Sequence, residues 1–307
     1  MRLGDVIEVK RGLTTNANDY FYLPSKYWLL SKDTDEYLEI RNGPQRIRIS
    51  KEYLRPLIRP DHIEGSTYEI SNVHKLGKED YVIWIRDLNE VKDPGAKEYA
   101  EWVLNKWGDK IPSALKNKDR SKIFALPDVS GWHFVFRSAI NLNYSVYLNR
   151  LSSYQIDKRL YVGKLKLKAE NEDLVTVVFG LLNSTLTYLG IELFGRVNLG
   201  EGALDVETVD YETIPIPSPL QFVKFLDENG LRDKFVESVK RLMKRKPMNI
   251  GSELDQEDRR IIDEIVFRFL WRDYEMAQKE IYNGILELSS SRTQRSERVL
   301  GRSTRKM

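Results

Sequence analysis

The residues best suited to chemistry lie near the start of the chain, in Lys10-Arg11-Gly12-Leu13-Thr14-Thr15-Asn16-Ala17-Asn18-Asp19-Tyr20-Phe21. Lys10 and Arg11 can hold phosphates. Asn16 and Asn18 each carry an amide that can read an adenine edge with two hydrogen bonds, and the hydroxyls of Thr14 and Thr15 stand beside them. Asn and Thr also bond to nearby backbone, so an ordinary hairpin turn has the same composition. Val6-Ile7-Glu8-Val9 reads as the strand that delivers this turn, with Gly12 permitting the reversal.

A second concentration of chemistry lies in residues 110–168. Twelve cations (Lys110, Lys116, Lys118, Arg120, Lys122, Arg137, Arg150, Lys158, Arg159, Lys164, Lys166, Lys168) face three anions (Asp119, Asp128, Asp157), a net +9. The whole chain carries only +3, so the remainder is at −6. Aromatic residues from Trp132 to Tyr161 are interleaved with these cations. Such a stripe neutralises phosphates and releases their counterions, which supplies sequence-independent affinity for nucleic acid. A solvated basic surface is the plainer alternative. Lys116, Lys118, Arg120 and Lys122 form the tightest cluster, and Arg137 joins them as a contact candidate.

The elements that must position these groups follow from pattern. Tyr37-Leu38-Glu39-Ile40 and Ile47-Arg48-Ile49 read as short strands about a turn at Asn42-Gly43-Pro44, and Tyr81 to Ile85 as a buried strand. Two prolines in Leu54-Arg55-Pro56-Leu57-Ile58-Arg59-Pro60 argue against regular structure there. Pro94 to Trp107 has helical spacing closed by Gly108, with its tryptophans in the core. Residues 172–194 read as one apolar helix. The uncharged run at 174–191 includes Asn183, Ser184 and Thr185, so a buried helix is expected, not a membrane span. Met1-Arg2 leads into a strand pattern with no secretory signal, and a cytoplasmic location is expected.

Several chemistries are excluded. The absence of cysteine rules out disulfides and thiolate metal sites. His62, His74 and His133 lack metal-ligand spacing and are expected to be structural. No phosphate-binding lysine loop is present. One catalytic pattern survives: Pro60-Asp61, a buried strand, then Glu90-Val91-Lys92 matches the loose carboxylate–carboxylate–lysine arrangement of a Mg²⁺-dependent nuclease.

Leu3-Gly4-Asp5-Val6, the Gly12-Leu13-Thr14-Thr15-Asn16 turn and Asp19-Tyr20-Phe21 resemble the opening of the C-terminal target-recognition (specificity) domain of TaqI-like adenine-N6 DNA methyltransferases and restriction-modification enzymes. Leu54-Arg55-Pro56, Leu181-Leu182-Asn183-Ser184 and Leu204-Asp205-Val206 through Ile214-Pro215-Ile216-Pro217 continue the resemblance in order. It implies sequence-specific recognition of double-stranded DNA. It also implies that the glycine-rich loop at 195–202 lies near the DNA, making Arg196 and Asn198 contact candidates.

The family's catalytic half is missing from this sequence. There is no S-adenosylmethionine loop and no Asn-Pro-Pro-Tyr-like tetrapeptide. No catalytic residue and no cofactor are therefore assigned here; a methyltransferase catalytic domain or subunit would bring S-adenosylmethionine. The expected fold is α+β: a mixed, bent sheet with packed helices over 1–217, a helical region over 218–288 that docks a partner or braces the domain, and a disordered basic tail over 289–307. A protein-interaction scaffold built on the C-terminal helices is the remaining alternative.

Overall fold

A computed structural model describes residues 1–73, 80–108, 110–167, 172–197 and 202–303, with side chains to residue 294. The architecture is α+β, as the sequence pattern implies. Its largest sheet has five strands in the spatial order Ile7–Arg11, Leu160–Leu165, Phe134–Arg137, Tyr147–Asn149 and Glu69–Ile70. All neighbours are antiparallel except the last pair.

Both faces of this sheet are covered, which is why Phe134-Val135-Phe136 and Leu160-Tyr161-Val162 are continuous apolar runs. Phe134, Phe136 and Tyr161 point into a core shared with the helices. Val135, Leu160 and Val162 point the other way, onto Ile58, Ile63 and Ile156. The helices after residue 217 belong to the first of these cores, since Phe222, Phe235, Val239, Ile262 and Ile265 pack in one cluster with Phe134 and Phe136.

A second core is built by the four-stranded sheet Gln155–Ile156, Leu54–Ile58, Asp80–Ile83, Tyr22–Leu23 and the meander Leu29–Asp33, Tyr37–Asn42, Gln45–Ser50. The meander turns at Gly43, whose φ of +58° suits the residue without a Cβ. The helix Pro94–Trp107 packs on it, started by Asp93, which accepts from Ala96 N at 2.7 Å. Trp28, Tyr99 and Trp107 are buried, so the tryptophan of the helix end is core, as expected.

Three expectations need correction. Leu54–Ile58 is an inner strand despite Pro56. Trp84 N donates to Tyr53 O, and the alternation of an antiparallel ladder then turns Pro56 N away from the Asp80–Ile83 strand. On its other side, pairing begins only at Leu57, so the missing N–H is never required.

Residues 172–194 form two helices, Glu172–Leu182 and Thr185–Phe194, bent by 55°. Asn183 and Ser184 make the break: Asn183 donates to Phe179 O and Val146 O, each at 3.1 Å, and Ser184 caps the second helix by accepting from Thr187 N. Among the described residues no single helix is long and apolar enough to cross a membrane.

Of the 289–307 segment expected to be disordered, residues 289–303 are helical. The helix Tyr274–Ser303 runs through it, held by buried Arg292.

Candidate nucleic-acid interface

The register of the five-stranded sheet gathers cations at one end. Arg11 closes its strand opposite Tyr161, and Arg137 closes its own opposite Leu160. The Arg11 guanidinium lies over the Tyr161 ring, 5.9 Å from its centre. Arg159 immediately precedes Leu160, and its carbonyl accepts from the Ser138 hydroxyl at 2.8 Å. The next rung pairs Ala139 with Asp205, and Asp205 in turn pairs with Arg196. Residues 185 positions apart in the sequence, Arg11 and Arg196, thus flank the same sheet end.

The candidate turn leaves from this end under tight restraint. A Cβ on Gly12 would sit 2.3 Å from Asp157 O and 2.6 Å from Ile156 O, a distance no side chain tolerates. Gly12 N donates to Leu160 O and Leu13 N to Ile156 O, and Leu13 is buried in the second core. Thr15 is buried as well: its hydroxyl donates to the Asn18 side-chain oxygen and accepts from Ala17 N at 3.2 Å. Asn16 has φ +59°, a conformation that asparagine tolerates better than most residues. Thr15 and Asn18 therefore spend polar groups on the turn, while Thr14 and Asn16 face solvent. Lys10 is exposed, paired with Glu8 at 2.5 Å and 5.6 Å from the Trp132 ring centre.

Lys116, Lys118, Arg120 and Lys122 are all exposed, on a segment of two short 3-10 turns pinned by buried Leu115 and Ile123. The first three line a cleft of about 430 Å³ with Asn105 and Gly108 at the end of the Pro94–Trp107 helix. Asp119, the anion inside the cluster, is committed to capping: it accepts from Ser121 N, which lowers its pKa below the ordinary value. Phe124 connects the cluster to the turn, packing on Phe21 with ring centres 5.3 Å apart.

Other candidates are placed differently. Arg137 donates to the Tyr147 hydroxyl at 3.1 Å, leaving a buried Nε that meets no hydrogen-bond partner among the described residues. Arg196 is held by Asp210 at 3.0 Å and Glu207 at 3.2 Å, so two carboxylates offset its charge. Asn198, like His74 and Lys168, lies outside the described residues. Arg159, which sequence reasoning counted only as one of twelve cations, stands at the sheet end with its side chain 53% exposed. Its signal was the run Asp157-Lys158-Arg159 immediately before a buried strand.

The nuclease pattern is not assembled. Asp61 groups with His62 and Asp80, their ligand atoms within 4.8 Å, and Glu90 is not a member of that group. Arg59 already bridges the two carboxylates, contacting Asp80 at 2.9 Å and Asp61 at 3.5 Å, and offsets part of their charge. His62 accepts from Arg59 N at 3.2 Å. Glu90 ends a 3-10 turn, and Lys92 N donates to the Tyr53 hydroxyl.

Fold and site together define an α+β domain that presents loops and cations at one end of a sheet and is braced from behind by helices. The chain matches the family described as Type II methyltransferase M.Eco57I, C-terminal domain, over residues 1–262, and it belongs to that family. This places it in the context of DNA methylation and restriction-modification. No curated protein sequence matches it.

Proposed function

We propose that this chain recognises double-stranded DNA with sequence specificity, as the specificity portion of an adenine-N6 DNA methyltransferase or restriction-modification enzyme. The observation that carries the reading is convergence. The turn bearing Thr14 and Asn16 and the ladder bearing Arg196 reach one sheet end, alongside Arg11, Arg137 and Arg159. Family membership supports the methyltransferase setting.

In this reading Thr14, Asn16 and the Arg196–Asn198 loop meet base edges, while Lys10, Arg11, Arg137, Lys116, Lys118, Arg120 and Lys122 hold phosphates. Thr15 and Asn18 shape the turn. A catalytic domain or subunit supplies the base pocket and S-adenosylmethionine, and the helices after residue 217 brace the recognition sheet. The work is done in the cytoplasm.

The test is selection from a randomised duplex pool at two salt concentrations, followed by sequencing. An enriched motif of a few base pairs, with affinity falling steeply in salt, is the expected result. Absence of binding even at low salt overturns the reading in favour of a protein scaffold.

A further inference from the structure

The Thr185–Phe194 helix is gripped along one face by charged groups of the C-terminal helices. Asp263 accepts from Thr185 N at 2.7 Å and from the Thr185 hydroxyl at 2.5 Å. Arg259 donates to the Tyr188 hydroxyl at 2.9 Å, and Arg292 donates to Glu192 at 3.0 Å. Positions 185, 188 and 192 are separated by three and then four residues, so they share a helical face. Arg259 and Asp263 are wholly buried, and Arg292 is 4% exposed.

Arg292 reaches further than the other two. It donates to Gly202 O and, at 2.8 Å, to Asn141 O; it also meets the Tyr144 hydroxyl at 3.2 Å, which itself donates to Glu192 at 2.6 Å. Asn141 follows the Ala139–Ile140 strand and Gly202 precedes the Leu204–Asp205 strand. These are the two strands whose pairing carries Asp205 and, through it, Arg196. A buried charge is a poor way to gain stability, because desolvation offsets most of the attraction. A guanidinium fork does fix the separation of the groups it bonds, which an aliphatic side chain of the same volume cannot do. Asp263 and Arg292 both lie beyond the residues matched by the family, which end at 262.

The geometry points to Arg292 as a positioning residue: it clamps the Asn141 and Gly202 backbone, and so sets the Ala139–Asp205 pairing and Arg196 for contact with DNA. The Tyr274–Ser303 helix is then a strap, outside the family domain, that tunes the recognition end from behind. This rests on the DNA reading above.

The test uses the full chain with R292Q and R292K. Amide hydrogen exchange is followed without DNA, and affinity is compared between the selected duplex and a scrambled one. Exchange around 139–144 and 202–206 should rise about tenfold or more in both variants, with the Asp80–Ile83 strand of the second core unchanged. The ratio of specific to non-specific affinity should fall about tenfold, at constant non-specific affinity. R292K keeps a charge for Glu192 but cannot span both carbonyls, so it remains informative if R292Q fails to fold.

Native exchange at both segments in R292K overturns the proposal. A uniform rise across both cores also overturns it, since that marks a general stabilising residue. If the native chain itself lacks selective binding, the DNA reading fails, and the exchange result still decides whether Arg292 positions the backbone.

Discussion

Asn183 and Val146 are joined by a reciprocal pair of hydrogen bonds: the Asn183 side chain accepts from Val146 N at 3.1 Å and donates to Val146 O at 3.1 Å. A side-chain amide thereby imitates a neighbouring strand, tying the break between two buried helices to the residue that leads into the Tyr147–Asn149 strand. Replacing it by alanine leaves two buried main-chain groups unpaired. The expected loss for Asn183→Ala is about 2–6 kcal/mol, since each unsatisfied group costs roughly 1–3. A urea midpoint equal to that of the native chain would refute this account.

Gly12→Ala should be disproportionately severe for so small a change. The new methyl would meet main-chain oxygens of Ile156 and Asp157, which cannot rotate away. The cost is on the order of 1–3 kcal/mol or more. Thermal melting checks it, and Gly284→Ala serves as a contrast, because nothing lies within 4 Å of its missing Cβ and its backbone is helical.

Glu253 sets an acid limit to stability. Burial pushes its carboxyl up, but bonds from Arg245 and the charges of Arg259 and Arg245 outweigh that and hold it at about 2, from an ordinary 4.5. A depressed carboxyl contributes stability above its unfolded pKa and loses it as pH falls toward the folded one. The contribution, on the order of 3 kcal/mol, is therefore complete above the unfolded value and disappears between about 4.5 and 2. Urea unfolding of native chain and Glu253→Gln across this range should show the native chain losing its advantage there. Parallel curves would sink the assignment.

The lysine cluster and the turn tip should separate affinity from specificity. Each alanine at Lys116, Lys118, Arg120 or Lys122 that removes a phosphate contact lowers the slope of log affinity against log salt by about 1, leaving the selected motif intact. Asn16→Ala should do the reverse, relaxing the motif at one position with the salt slope unchanged. Selection and salt titration on the same variants measure both quantities.

Features governed by neighbours in sequence were legible in advance. The Pro94–Trp107 helix announces itself by its apolar spacing and a glycine after its last tryptophan, and the 37–50 hairpin by Asn42-Gly43-Pro44. The misread features depend on distant partners. The kink at Asn183 needs Val146, the strand through Pro56 needs a ladder whose phase is set by Trp84, and the ordered helix at Arg292 needs Glu192 and Asn141. At the turn, residue types pointed to Thr14, Thr15, Asn16 and Asn18 alike. Only burial separates the pair facing solvent from the pair spent on the turn itself.

That separation bears on how the domain could change over time. Gly12 is pressed against the Ile156 and Asp157 main chain, Leu13 is buried in the second core and Thr15 is spent on bonds within the turn, so almost any substitution there is penalised by folding. Thr14 stands between them and Asn16 beside them, both with side chains in water; exchange is nearly free of energetic consequence at Thr14 and is limited at Asn16 by its φ of +59°. A frame of forbidden positions with permitted ones interspersed is a surface on which new preferences can be tried one residue at a time, with the scaffold insulated from the experiment.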